Sequence, residues 1–156
     1  ELTRIFTNSN CIVVPNFSIS AILLMHLSEI ATPYFSTIEI IEFHHNNKVD
    51  APSGTALATA EKISQNITED LRDPTTDLTL EGARGAKAQG NIPIHSVRME
   101  GMLAHQEVIF GAQGQTLTIR QDSSDRSSFM PGVLMAIKGI SDLTGVNIGL
   151  ETLMDV

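Results

Sequence analysis

Hydrophobic and polar residues recur along the chain with two periods, and each period predicts a different kind of element. Apolar residues at every second position are typical of strands with one buried face. Apolar residues three or four positions apart are typical of helices. Strands are predicted over residues 11–14, 37–43, 92–99, 105–111 and 115–122. Helices are predicted over residues 18–30, 55–67 and 128–143.

The order of these elements predicts an α+β fold. The strands at 37–43 and 92–99 lie on either side of the helix at 55–67, so we expect them to pair in parallel through a right-handed crossover. Gly111-Ala112-Gln113-Gly114 is a hairpin signal between the last two strands. We therefore expect a two-layer fold with a mixed, open sheet of about four strands and helices on one face. The polar residues 68–89 are expected to form a surface loop.

The side chains best suited to catalysis or binding lie between the strand at 37–43 and the helix that follows it. This stretch gathers two imidazoles, one ammonium, two carboxylates and a helix start within fifteen residues. Side chains in such connections are often functional, because the scaffold holds them while the loop exposes them. The stretch is Glu42-Phe43-His44-His45-Asn46-Asn47-Lys48-Val49-Asp50-Ala51-Pro52-Ser53-Gly54-Thr55-Ala56.

The first half of this stretch offers groups that exchange protons. If the strand alternation continues to its end, Glu42 and His44 share one face and His45 points the other way. The two histidines can therefore serve different partners. An imidazole exchanges protons near neutral pH, and Lys48 adds a compact cation or a proton donor.

The second half of the stretch resembles an anion site. Ser53 is a good N-cap, so Gly54 and Thr55 would present backbone N–H groups at the start of the helix. Together with His45 and Lys48, this start suggests a pocket that binds a carboxylate and supplies a proton. A plainer interpretation also stands, in which the histidine pair is a surface feature and the helix start is only a cap.

Composition and charge exclude several classes of protein. The chain has 156 residues, of which 42% are hydrophobic and 18% charged, which is typical of a globular domain. Its formal net charge of -8 argues against nucleic acid, whose phosphates require a basic face. An acidic chain that binds an acidic ligand needs local cations, and Lys48, His44 and His45 provide them. The only cysteine, Cys11, excludes an internal disulfide and is interpreted as an inert, buried thiol.

The sequence predicts neither a metal site nor a membrane-spanning helix. Four histidines (His44, His45, His95 and His105) could ligate zinc, but their spacing fits no helical or knuckle pattern, so no metal site is predicted. No apolar run approaches the length of a membrane-spanning helix, and no signal peptide opens the chain. We expect a cytoplasmic location, or an organelle if an upstream targeting sequence has been lost.

The motif His44-His45-x-x-Lys48-x-Asp50-Ala51-Pro52-Ser53-Gly54-Thr55-Ala56 resembles the signature of dihydrodipicolinate reductase. That family contains nicotinamide-dependent enzymes of the diaminopimelate route to lysine. The resemblance covers essentially the whole chain. Further segments resemble the family in the same order: Val14-Pro15-Asn16-Phe17-Ser18, Ile94-His95-Ser96-Val97-Arg98, His105-Gln106-Glu107 and Ser124-x-Arg126-x-x-Phe129.

The resemblance implies an activity and a set of site residues. The implied reaction is the reduction of 4-hydroxy-tetrahydrodipicolinate to tetrahydrodipicolinate by NADPH or NADH. The implied catalytic residues are His44 and Lys48, with Lys48 giving a proton to the ring carbon beside the one that accepts hydride. The implied substrate-binding residues are His45, Gly54 and Thr55. Positions near the cofactor are implied for Val14, Pro15, Asn16, Phe17, Arg126 and Phe129.

The resemblance also implies a domain organisation and an assembly. The family begins with a nucleotide-binding domain that carries a Gly-x-Gly-x-x-Gly loop, and no such fingerprint occurs in this sequence. We therefore expect residues 1–17 to end that domain, residues 18–125 to bind substrate and form the oligomer, and the helix and tail at 126–156 to return to the Rossmann domain. Free sheet faces are implied to pack in a homotetramer.

Two functions remain open from the sequence. The chain is either the substrate-binding part of a reductase, inactive when isolated, or a non-catalytic module that binds a dicarboxylate or assembles subunits. The motif from His44 to Ala56 favours the first for the parent protein. The missing glycine-rich fingerprint favours the second for the isolated chain.

Overall fold

The computed structural model describes residues 1–154 and contains two compact units. The first unit combines Glu1–Leu23 with the chain from Asp125 onward, and the second is Leu24–Ser124. The helices are α1 (Leu2–Ile5), α2 (Ile19–Ala31), α3 (Gly54–Ser64) and α4 (Met130–Gly139). The strands are β1 (Cys11–Val13), β2 (Thr37–His44), β3 (Ala86–Lys87), β4 (Pro93–Arg98), β5 (Ala104–Ala112), β6 (Gln115–Ser123) and β7 (Val146–Ile148).

The second unit is built on a mixed sheet with the strand order β3-β4-β2-β5-β6. Strand β2 is central and pairs in parallel with β4 and antiparallel with β5, which confirms the predicted parallel pairing across α3. The hairpin from β5 to β6 is also confirmed, and it brings Gly111 opposite Thr116. The register places Glu42 beside Ser96 of β4 and Gln106 of β5. This central position of Glu42 in the sheet determines which side chains can contact it.

One face of the sheet is covered by helices, as the sequence predicts. The inward residues of β2 and β5 are apolar near the middle of the sheet, and Ile40, Val108 and Phe110 are completely buried. Helix α3 joins this face through a hydrogen bond of 2.7 Å from Gln106 Nε2 to Thr59 Oγ1. A 3.0 Å ion pair from Lys62 of α3 to Glu29 links that helix to the part of α2 that belongs to the second unit. The hydrophobic core therefore lies between the sheet and these two helices.

The opposite face of the sheet, here called the outer face, is only partly buried and carries many charged groups. Half-buried apolar side chains on it include Ile41, Phe43, Val97 and Ile109. The Arg120 guanidinium lies 5.3 Å from the centre of the Phe43 ring. Ion pairs on the outer face join Glu39 to His95 and Arg84, Arg120 to Glu107 and Asp122, and His105 to Asp122.

The first unit contains a small parallel sheet and helix α4. Strands β1 and β7 pair with Cys11 opposite Val146. Helix α4 approaches the segment before α2 closely, because a Cβ added to Gly132 would lie 2.1 Å from the Phe17 carbonyl oxygen. No larger residue fits at that point without moving the backbone, so the close approach requires glycine.

Several details differ from the sequence predictions. The sheet has five strands rather than four, because the polar segment after α3 adds the two-residue strand β3. Strand β7 was not predicted, since three residues carry too little periodicity to stand out. Helix α3 ends at Ser64 rather than at residue 67. Cys11 is half-exposed rather than buried.

The start of the last helix also differs from its prediction. The sequence predicts a helix from residue 128, but a short 3-10 turn capped by Asp125, Arg126–Phe129, comes first and α4 begins at Met130. Asp125 Oδ1 accepts a hydrogen bond of 2.8 Å from the Ser127 backbone N–H, which satisfies a group that the helix start leaves open. Over residues 1–154, no helix is long and apolar enough to cross a membrane.

Candidate active site at the carboxyl end of strand β2

The site begins with a charged residue on the buried side of a strand. Along β2 the inward positions are Ile38, Ile40, Glu42 and His44, so the alternation that builds the core ends in a carboxyl group and an imidazole. The Glu42 side chain has no solvent exposure. A buried carboxylate is strongly unfavourable unless it is hydrogen-bonded and paired with a positive charge. Its partners therefore define the site.

Glu42 is held by an arginine from the neighbouring strand. Arg98 Nη2 donates to Glu42 Oε1 at 2.8 Å and Arg98 Nη1 donates to Oε2 at 2.9 Å, which is the two-pronged geometry that a guanidinium favours. The backbone N–H of Ser53 donates to Oε1 at 3.3 Å. His44 Nδ1 is bonded to Oε2. The carboxylate thus joins two strands to the start of α3.

These contacts decide the charges in the site. Burial by itself raises the pKa of Glu42, but hydrogen bonds with Arg98, Ser96 and His44 outweigh it, so the pKa lies below that of an ordinary glutamate. Burial lowers the pKa of His44, and the charges of Lys48 and Arg98 lower it further against the opposing effect of Glu42. At neutral pH the site therefore holds a charged Glu42 and an uncharged His44.

The loop after β2 carries a second, more exposed ion pair. Lys48 Nζ lies 2.7 and 2.8 Å from the two carboxylate oxygens of Asp50. The side chain of Lys48 is 21% exposed and that of Asp50 is 58% exposed. The hydrogen bond with Lys48 lowers the pKa of Asp50. Arg98 also reaches this loop, since its Nη2 donates to the Asp50 carbonyl oxygen at 2.7 Å.

The start of helix α3 completes the site. Ser53 has an extended backbone, and its Oγ accepts a hydrogen bond of 3.2 Å from the Ala56 N–H, which confirms Ser53 as the N-cap. Gly54 is exposed, and a Cβ added there would meet nothing within 4 Å. The first turn of α3 therefore offers backbone N–H groups beside open space, where an anion can approach.

The structure brings the five predicted catalytic and substrate-binding residues into one region of the second unit. His44 ends β2, His45 and Lys48 form a turn closed by a 3.1 Å hydrogen bond from the Lys48 N–H to the His45 carbonyl oxygen, and Gly54 and Thr55 open α3. The region combines a neutral imidazole, an ammonium group and a helix start. Such a set can bind a carboxylate and move a proton.

Two residues of the site were not assigned a role from the sequence. Arg98 lies on β4 in register with His44, so a basic residue on the strand paired with β2 was the available signal. Gln106 is buried opposite Glu42 and contacts Thr59, while its Oε1 has no hydrogen-bond partner among the described residues. Within residues 1–154, no group of three or more His, Cys, Asp or Glu side chains is arranged to hold a metal ion.

Comparison with known proteins connects this geometry to a family. A family model described as dihydrodipicolinate reductase, C-terminus, matches residues 20–156. The chain belongs to the dihydrodipicolinate reductase family. The match includes every element of the site, from β2 through α3 to Arg98.

Individual relatives agree with the family match. A 4-hydroxy-tetrahydrodipicolinate reductase of Corynebacterium urealyticum is 56% identical over 90% of this chain, and one of Mycolicibacterium smegmatis is 52% identical over 95%. The chain spans 57% and 60% of the length of these two relatives. A solved structure, "Dipicolinate bound Dihydrodipicolinate reductase from Paenisporosarcina sp. TG-14", aligns with a TM-score of 0.85 and 47% identity over 94% of this chain and 55% of that one.

The residues predicted to lie near a cofactor are all in the first unit. Val14, Pro15, Asn16 and Phe17 precede α2, and Arg126 and Phe129 bound the 3-10 turn before α4. Asn16 Oδ1 accepts a hydrogen bond of 2.9 Å from the Ser18 N–H, and Arg126 is exposed.

Proposed function

We propose that this chain is the substrate-binding and subunit-assembly part of a 4-hydroxy-tetrahydrodipicolinate reductase. The whole protein would reduce 4-hydroxy-tetrahydrodipicolinate to tetrahydrodipicolinate in diaminopimelate and lysine biosynthesis. NADPH or NADH supplies the hydride when bound. The observation that carries the proposal is the open start of α3 beside His44 and Lys48. The names of the relatives support the same assignment.

The start of α3 is proposed to bind one carboxylate of the substrate. The N–H groups of Gly54 and Thr55 and the positive end of the helix favour an anion by roughly 0.3–1 kcal/mol when exposed, and by up to about 2 when partly buried. His45, at the other edge of the loop, would add a hydrogen bond. The similar solved structure of a dipicolinate-bound dihydrodipicolinate reductase supports a ligand of this chemical class.

Lys48 is proposed to donate the proton that completes the reduction. Its ammonium group is paired with Asp50, whose carboxylate is more than half exposed. Exposed ion pairs of this kind contribute little to stability, so a substrate carboxylate can displace Asp50 without a large penalty. The ammonium would then lie against the substrate, close enough to give a proton to the ring carbon beside the hydride acceptor.

A second candidate is a module that binds a dicarboxylate or assembles subunits without turnover. The observation that favours it is the absence of a Gly-x-Gly-x-x-Gly fingerprint from this sequence. Both candidates require the same binding site. They differ in whether the isolated chain turns over substrate with added NADPH or NADH, and we expect it to be inactive.

We also propose an assembly and a location. The outer face of the sheet would be buried in a homotetramer, because it combines half-buried apolar side chains with paired charges. The bacterial relatives of this biosynthetic family support a location in the cytoplasm.

The binding site is tested by calorimetry with dipicolinate (pyridine-2,6-dicarboxylate), a flat analogue of the substrate. The native chain should bind it weakly. In Gly54→Pro the first N–H of the helix is lost, but proline is tolerated at this position and Ser53 already has the extended backbone that a following proline requires. We expect binding to be abolished in Gly54→Pro. Gly54→Ala retains the N–H and its methyl group meets nothing within 4 Å, so it is the matched control.

The two variants separate the possible outcomes. Loss of binding in Gly54→Pro with retention in Gly54→Ala would support an anion bound by the N–H. Loss in both would show that the ligand lies against Gly54 and is crowded by a methyl group. Unchanged binding in both, or no binding to the native chain at millimolar dipicolinate, would contradict the proposed site.

A further inference from the structure

The buried pair of Glu42 and Arg98 has no part in the chemistry proposed above, although it touches the residues that do. We propose that Glu42 and Arg98 are positioning residues that hold His44 with its proton on Nδ1 and leave Nε2 as a hydrogen-bond acceptor in the site. This inference deepens the proposed function, and it rests on that function for the identity of the molecule that Nε2 meets.

The first step concerns the direction of one hydrogen bond. Three N–H groups, two from Arg98 and one from Ser53, already point at the Glu42 carboxylate. An ionised carboxylate only accepts hydrogen bonds. His44 Nδ1 is bonded to the same carboxylate, so Nδ1 must carry the proton and donate it. The structure thus selects one of the two neutral forms of the ring.

The second step concerns the other nitrogen of the ring. The charged groups that act on His44 are Glu42 on its own strand, Arg98 on β4 and Lys48 on the loop. Burial and the two cations lower the pKa of His44, so the ring is uncharged at neutral pH. With the single proton on Nδ1, the lone pair of Nε2 is left to accept a hydrogen bond or a proton.

The third step explains why the partner is an arginine. The Arg98 side chain is 18% exposed, and it bonds both oxygens of Glu42 while Nη2 also donates to the Asp50 carbonyl oxygen. One guanidinium therefore fixes the acceptor of His44 and the loop that carries Lys48. A lysine ammonium could keep the charge but not this planar set of contacts.

His44 and the positively charged groups would therefore recognise different parts of the substrate. Nε2 of a neutral His44 would face a hydrogen-bond donor of the substrate, such as its hydroxyl group. It would not face a carboxylate, because two acceptors repel each other. The carboxylates are then left to Lys48 and to the start of α3, where positive charge is available.

Nitrogen-15 NMR of the histidine rings in the chain tests the proposal directly. At neutral pH, His44 should show a protonated Nδ1 and an unprotonated Nε2, with its signals assigned by their loss in His44→Gln. The opposite tautomer, or a mixture of the two, would overturn the proposal. This readout depends on neither the cofactor nor turnover.

Variants of Glu42 and Arg98 test whether this pair determines the position of the proton on His44. In Glu42→Gln the amide NH2 can donate to Nδ1, so the proton of His44 should move toward Nε2. Arg98→Met removes a cation that acts on His44, so the midpoint of its titration should rise, and Arg98→Lys should restore the midpoint. Arg84→Met, which removes a guanidinium paired with Glu39 on the outer face, should leave both readings unchanged.

Each result can be separated from a failure to fold and from a failure of the proposed function. Circular dichroism identifies variants that remain folded, and unchanged His44 signals in folded Glu42→Gln would overturn the proposal. If Arg98→Met does not fold, the spectra of the native chain and of Glu42→Gln carry the test. Dipicolinate added to the same samples reports on the proposed function alone, because its failure to bind leaves the native tautomer unaltered.

Discussion

Two ion pairs involve residues of the stretch from Glu42 to Asp50, and they differ in burial. The pair of Glu42 and Arg98 is buried, and removing one partner from such a pair typically costs about 3–5 kcal/mol. That is a large part of the roughly 5–15 kcal/mol by which a domain is stable. The pair of Lys48 and Asp50 is far more exposed and contributes little. The pair of Glu42 and Arg98 can therefore fix the positions of neighbouring side chains, and the pair of Lys48 and Asp50 can separate when a ligand binds.

Lys48 is therefore the residue whose removal should affect turnover without unfolding the protein. In the full-length protein, we expect Lys48→Met to reduce kcat by a factor on the order of 10²–10⁴, the usual contribution of a general acid. Steady-state kinetics with NADPH or NADH measures this. Lys138→Met, which removes an exposed lysine of α4, is the control and should keep native turnover. Near-native turnover in Lys48→Met would remove Lys48 from the mechanism.

Helix α3 joins the core to the site through its first turn. It buries Ala56, Thr59, Ala60 and Ile63 against the sheet, so its position is set by packing. Its N-cap Ser53 contacts the site twice, since its hydroxyl accepts from the Ala56 N–H and its own N–H donates to Glu42. The N–H groups offered to an anion are thus held by both the core and the buried carboxylate.

The hydroxyl group of Ser53 should make a measurable contribution to the free energy of unfolding. Ser53→Ala removes the acceptor for the Ala56 N–H but keeps the backbone N–H that reaches Glu42. We expect a loss of about 1 kcal/mol in the free energy of unfolding, within a range of about 0.5–2. Urea denaturation measures it. Ser64→Ala at the other end of α3, whose hydroxyl bond is exposed, should change stability by less than about 0.5 kcal/mol, and an equal loss in both variants would contradict the capping role.

The sheet of the second unit has one covered face and one partly open face. The covered face packs on α3 and on the part of α2 that lies in the second unit. The outer face combines Ile41, Phe43, Val97 and Ile109 with several ion pairs. Interfaces between subunits have this mixture of apolar contacts and satisfied charges. The assembly is therefore expected to form through the outer face.

Light scattering of the chain at micromolar concentration should give the mass of four copies. Ile109→Asp places an unpaired charge in the middle of the outer face and should produce a smaller species, since an unpaired buried charge strongly disfavours association. Ile137→Asp on α4 is the control, because that side chain is 64% exposed and belongs to the first unit. A native chain with the mass of a monomer would contradict the tetramer.

The sequence by itself determined the features that depend on neighbours along the chain. Strand β2, helix α3 and its N-cap Ser53 follow from periodicity and from the hydrogen bonds that a short side chain can make to nearby N–H groups. The shared face of Glu42 and His44 follows from the two-residue repeat of a strand. These are local effects, so a linear pattern carries them.

Only the tertiary structure decided how distant segments meet. Arg98 contacts Glu42 across 56 positions of sequence, and Gln106 contacts Thr59 across 47. Both contacts depend on the register of β4 and β5 against β2, and register is set by how the whole buried face packs. Strands β1 and β7, which are far apart in sequence, likewise pair only in the folded chain. A carboxylate in a strand could be recognised from the sequence, but its partner could not, because that partner is chosen by the packed sheet.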